Sequence, residues 1–110
     1  MQVYRNGFDN WSDVQNAYQT SDTEEGKVVL FADYEQGNYE GWSTVVWSDH
    51  RGYWLVEGSH CSCYGLEGQW NPEETPLDVL LHIAETGKYG SDVLQVLRDL
   101  KVNTNLSNPV

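Results

Sequence analysis

Apolar residues recur along the chain in two rhythms. Trp11, Val14 and Tyr18 fall at i, i+3 and i+7, directly after Asn10, a residue type whose side-chain oxygen caps helix N-termini. That spacing predicts a short helix from Trp11 to Gln19. Ser21-Asp22-Thr23-Glu24-Glu25-Gly26 follows as an acidic loop. The rhythm then changes. Residues 27–35, 41–48 and 53–59 are rich in β-branched and aromatic types and read as strands. Gln36-Gly37-Asn38 is turn chemistry, and Asp49-His50-Arg51-Gly52 fits a type I turn with Gly last. Consecutive strands joined by short turns predict an antiparallel meander. Strict alternation places Val28, Leu30, Ala32 and Tyr34 on one face, with Val29, Phe31, Asp33 and Glu35 on the other.

Residues 60–76 lack periodicity. Helical spacing then returns. Thr75-Pro76 opens a helix with Pro at its first position, Leu77, Leu80, Leu81 and Ala84 form its stripe, and Gly87 stops it. Ser91 caps a second helix with Val93, Leu94, Leu97 and Leu100 on one side. The short linker between them predicts an αα-hairpin lying against the sheet. The expected class is α+β: a three-stranded antiparallel meander, a short N-terminal helix and a C-terminal helical hairpin. A single domain over residues 1–102 is expected, with 103–110 a flexible polar tail.

The length of 110 residues suits one domain, and 13% aromatic residues argue for a folded globule. Charge adds more. Seventeen acids against six Lys and Arg give a formal net charge of -11. Nucleic acid and anionic membranes carry the same sign, so neither is an expected partner. The first seven residues contain no apolar signal core, and the longest apolar run, Val28 to Ala32, is far too short to span a bilayer. Cys61 and Cys63 are separated by one residue and fit thiols of a reducing compartment. The protein is therefore expected to be soluble and cytoplasmic.

The charge is uneven, a formal -7 over residues 1–50 against -4 over residues 51–110. Carboxylates on strands and helices are spaced on the order of 5–7 Å, comparable with phosphates along a nucleic-acid strand. Such a stripe attracts a basic groove. The candidate contact residues are Asp22, Glu24, Glu25, Asp33, Glu35, Glu40 and Asp49. Trp47 and Tyr53 are expected outward as aromatic anchors, with Trp42 and Trp54 flanking the core.

The segment His60-Cys61-Ser62-Cys63 carries the other candidate chemistry. If the third strand continues, the two cysteines share a face. With His60, and with His50 or His82 completing the shell, soft thiolates at that spacing would hold zinc. The alternative is a pair of small packed thiols. A catalytic thiol is disfavoured, because surrounding carboxylates raise a thiol's pKa. No phosphate-cradling loop or zinc-protease motif is present, so no catalytic residue is assigned and no enzymatic activity is expected.

Val29-Leu30-Phe31-Ala32-Asp33-Tyr34, Tyr39-Glu40-Gly41, and Glu57-Gly58-Ser59-His60-Cys61-Ser62-Cys63-Tyr64-Gly65-Leu66-Glu67 with Gln69-Trp70 resemble small hypothetical proteins of bacteriophages and prophages. The resemblance spans roughly residues 9–87 and brings no established activity with it. It implies a phage accessory protein acting in the host bacterial cytoplasm. The combined expectation is a non-enzymatic inhibitor of the anti-CRISPR or anti-restriction type. It would occupy the basic groove of a host nucleic-acid-binding or defence protein by mimicking nucleic acid. The alternative is a small zinc-binding or structural interaction module organised by Cys61 and Cys63.

Overall fold

The computed structural model describes residues 3–62 and 64–107, with 103–107 as backbone only. Two compact units divide the chain: a sheet unit within Gln2–Glu74 and a helical unit within Thr75–Val110. In order, the elements are β1 (Val3–Asn6), α1 (Trp11–Tyr18), β2 (Val28–Gly37), β3 (Glu40–Asp49), β4 (Gly52–His60), β5 (Glu73–Glu74), α2 (Leu77–Glu85) and α3 (Ser91–Ser107).

The sheet corrects the expected three-stranded meander. It has five strands in the order β1-β2-β3-β4-β5 and is mixed, because β1 pairs parallel with β2 while the other pairs are antiparallel. Both added strands lie below the length at which alternation is legible. β1 has four residues and β5 has two. Each exists because a longer neighbour offers an unpaired row of backbone groups. The chain leaves β1 through Asn6, which adopts φ 58°, and Gly7, whose N–H donates to the Tyr34 carbonyl at 2.9 Å. α1 then makes the crossover that parallel neighbours require.

A second correction concerns the faces of β2. Val29 pairs with Trp47 and Phe31 with Val46, so Leu30 is an extra residue, a β-bulge. The bulge shifts alternation by one position. Val29 thus joins Ala32 and Tyr34 on the face that packs under α1, together with Val45, Trp47 and Val56. Phe31, Asp33 and Glu35 remain opposite.

α1 forms as its spacing predicts. The Asn10 side chain accepts from Asp13 N–H at 3.0 Å, and Asp13 accepts from Asp9 N–H at 2.9 Å. Trp11, Val14 and Tyr18 are buried, and Gln19 ends the helix in the left-handed conformation. In the helical unit Leu80, Ala84, Val93 and Leu97 are buried. Pro76 caps α2 rather than occupying its first turn, a shift of one residue. α2 and α3 run antiparallel, bridged by Arg98–Glu85 at 3.9 Å and by Lys101–Asp78. α3 carries helical backbone to Ser107, into the segment expected as a tail. Among the described residues, no helix is long and apolar enough to cross a membrane.

Candidate functional site

The aromatic side chains of the sheet unit fall into two sets. The inner set sits beneath α1. Trp47 stacks on Trp70 with ring centroids 5.4 Å apart and planes 10° from parallel, and Trp11 meets both edge-on at 5.8 Å. Lys27 reaches this set, its ammonium 5.7 Å from the Trp11 ring centre and 5.4 Å from that of Trp47. The same ammonium donates to Asp22 Oδ1 at 2.8 Å and to the Thr23 carbonyl at 2.7 Å. Asp22 also accepts from Trp70 Nε1 at 3.1 Å, and its carbonyl accepts from Trp11 Nε1 at 2.8 Å. A cation, its carboxylate and its aromatic walls are all supplied internally.

The outer set lies at the other end of the strands. Gly37 pairs with Glu40, leaving the two-residue loop Asn38-Tyr39, both residues at positive φ, 50° and 67°. Tyr39 is 84% exposed, Trp42 52% and Tyr64 59%. Trp42 pairs with Glu35 across β2–β3 and with Ser59 across β3–β4. Glu40, two residues before Trp42, shares its face. Trp42, Tyr64, Glu40, Gly41, Ser59 and His60 help line an open cleft of about 430 Å³.

His60 pairs with Gly41, one residue out of step with Trp42 and Ser59, so its ring lies on the face opposite the Trp42 indole and is held there. His60 Nδ1 lies 2.7 Å from the Cys61 carbonyl, which can only accept, so Nδ1 carries the proton of the neutral ring. Nε2 then accepts from the Tyr34 hydroxyl at 2.5 Å, and Tyr34 accepts from Gln36 Nε2 at 3.1 Å. Burial pushes the Tyr34 phenol pKa above its ordinary value, which keeps it a donor. Gly41 is required here, because a Cβ at this position would lie 2.4 Å from His60 Nε2. Gly58 is also closely surrounded, with Leu66, the Gln69 side chain and Tyr18 all 3.0–3.2 Å from its notional Cβ.

The segment that carries the phage-protein resemblance divides between scaffold and cleft. Leu66 is core, and Trp70 packs against the same cluster. The Gln69 amide bonds both backbone groups of Ser59, accepting from its N–H at 2.9 Å and donating to its carbonyl at 2.8 Å. It acts as a one-residue strand that closes the edge of β4. Glu67 accepts from Gly65 N–H at 3.2 Å, and backbone hydrogen bonds hold its carboxyl below the usual range.

The candidate contact residues are sorted by these bonds. Asp22 is ion-paired with Lys27, and Asp33 with Arg5 at 3.4 Å and with Asn6 Nδ2 at 2.6 Å. Asp49 accepts from Trp54 Nε1 at 3.0 Å and from Arg51 N–H at 2.8 Å, and the Trp54 bond leads in lowering its carboxyl pKa. Glu24 accepts from the Tyr4 hydroxyl at 3.3 Å, whereas Glu25, Glu35 and Glu40 are exposed. Glu24 and Glu25 precede β2, and Glu35 lies near its end, roughly 23 Å beyond its first residue at about 3.3 Å per residue. The expected stripe is two separate acidic groups. The assignment of Trp42 and Trp47 is reversed: Trp47 is 2% exposed and Trp42 faces solvent, while Trp54 packs against the core as expected and Tyr53 is half-buried. The parity was available in the sequence, since Trp47 keeps step with Val45 and Trp42 does not.

Cys63 lies outside the described residues, and Cys61 is exposed. Both His60 ring nitrogens are engaged. His50 sits at the far end of the β3–β4 hairpin, roughly 27 Å away by strand rise, and His82 belongs to α2. Among the described residues no three His, Cys, Asp or Glu side chains form a metal-binding group.

No family model, curated protein or solved structure matches this chain.

Proposed function

We propose that the protein is a non-enzymatic binding protein that occupies a cationic, nucleic-acid-binding surface of another protein. The observation that carries this reading is the pairing state of its charges. Arg5, Lys27, Arg98 and Lys101 are committed to carboxylates of the same chain, and Arg51 lies over Trp54 at 4.7 Å. Glu35 and Glu40 have no ion-pair partner among the described residues and bracket the exposed Trp42. A formal charge of -11, with Arg5 and Lys27 of the sheet unit ion-paired internally, directs the remaining field toward an external cation. A host nucleic-acid-binding or defence protein, in the manner of anti-CRISPR and anti-restriction inhibitors, is the partner class to which the phage-protein resemblance points.

The test is capture from a bacterial lysate on the immobilised protein at low and high salt, with duplex DNA as competitor. The expected result is a partner released by salt and displaced by DNA, and lost with the double variant Glu35→Lys/Glu40→Lys. Capture indifferent to salt and to DNA overturns the reading, as does direct binding of DNA or RNA by the protein itself.

A further inference from the structure

We infer that the cleft beside Trp42 is a receptor for a single arginine side chain of the basic partner, a site that rests on the binding reading above and gives it a specific chemistry. The inner aromatic set supplies the template. There the chain holds its own Lys27 between the rings of Trp11 and Trp47 and against the Asp22 carboxylate, with only 12% of the lysine side chain exposed. The outer set repeats these components without the cation. Trp42 presents an open ring, Tyr64 lines the same cleft, and the Glu40 carboxylate has no partner among the described residues.

The geometry favours guanidinium over ammonium. Cross-strand pairing sets Glu35 about 5 Å from Trp42 between Cβ atoms, and Glu40 lies about 6–7 Å away along β3. Two carboxylates flanking one indole suit a flat cation that stacks on the ring while its edges donate outward, and a guanidinium carries five such donors in one plane. An ammonium is compact and strongly hydrated, and an open cleft of about 430 Å³ leaves it in water. Trp42 and Glu40 of β3 and Ser59 of β4 share one face of two paired strands, so the backbone that carries them is fixed. The site is thereby preorganised before a ligand arrives.

The probe is acetyl-arginine amide, titrated into isotope-labelled protein at constant ionic strength and followed by NMR, with acetyl-lysine amide as the comparison. Saturable shifts are expected at the Trp42 indole N–H and at the amides of Glu40 and Ser59, with the arginine compound tighter by about three-fold or more. Trp42→Ala should abolish them and Glu40→Gln should weaken them. Trp42 is exposed, so the thermal transition of Trp42→Ala should match that of the parent, and Glu40→Gln gives a second variant with no cavity to create. The inference fails if no shift saturates, if Trp42→Ala retains the shifts, or if Glu24 and Glu25 respond as strongly as the cleft. A DNA-displaceable partner captured equally by Trp42→Ala also defeats it while leaving the wider reading intact. Saturable arginine binding with no partner in the lysate supports the site and removes the wider reading.

Discussion

The two aromatic sets of the sheet unit are both built around a Trp of β3, Trp47 in one and Trp42 in the other, yet they differ in what completes them. Around Trp11, Trp47 and Trp70, indole faces, a carboxylate and a lysine close on one another, and the indole N–H groups of Trp11 and Trp70 reach Asp22. Around Tyr39, Trp42 and Tyr64, the rings and carboxylates face solvent with no cation beside them among the described residues. The first arrangement is a way of stabilising a fold with only a small core. The second is aromatic and acidic, with Trp42 on β3 and Tyr39 and Tyr64 on the adjoining loops. Aromatic content alone does not separate core from contact surface. Pairing and parity do.

Truncation should separate the sets most sharply. Trp70→Ala or Trp47→Ala is expected to cost about 3–5 kcal/mol in urea unfolding, because each leaves a large void in the packed cluster. Trp42→Ala should stay within about 0.5 kcal/mol, as surface substitutions do. Equal costs would erase the distinction. Next in size is Lys27→Ala, expected to lose about 1–3 kcal/mol, since Asp22 and the surrounding rings would keep a partly buried carboxylate without its cation. Its stability should respond less to salt than that of the parent.

The hairpin tip offers a smaller, opposite effect. Tyr39 holds φ at 67°, a conformation that suits Gly in this turn type. Tyr39→Gly is expected to stabilise the fold by up to about 1 kcal/mol in thermal unfolding while weakening partner capture. A destabilised variant with unchanged capture would mean that the exposed ring serves the fold.

pH gives the finest discrimination. Burial pushes the Tyr18 phenol up to about 12 from 10.0, so its contribution is complete below pH 10 and is lost as pH rises through about 12. Tyr18→Phe should remove that alkaline loss. Tyr18 and Ser43 hydroxyls face each other in the core without a well-formed hydrogen bond, so the substitution should cost little at neutral pH. At the acid end, Asp49 is held below its ordinary 3.8, so its contribution is present above that value and fades as pH falls beneath it. Asp49→Asn should flatten this acid limb in a stability–pH profile.

The amino-acid sequence by itself determined the local elements and the charge. Asn10, Trp11, Val14 and Tyr18 specify α1, Asp49 to Gly52 specify the β3–β4 turn, and the excess of acids sets the sign of the net charge, whereas the β2–β3 turn falls at Asn38-Tyr39 and not at Gln36-Gly37-Asn38. These depend on neighbours within a few positions, where backbone geometry makes spacing meaningful. The tertiary structure decided the rest. β1 has four residues and needs β2, more than twenty positions on, to exist at all. The bulge at Leu30 reverses the face of Val29, and that choice follows from summed ladder and packing energies across the sheet. Which carboxylates stay open depends on where Arg5 and Lys27 land, and the placement of the His60 ring requires Tyr34 and Gly41 from two other strands. Contacts between distant positions leave no periodicity to read, because each is fixed by the competition of many weak terms for one register.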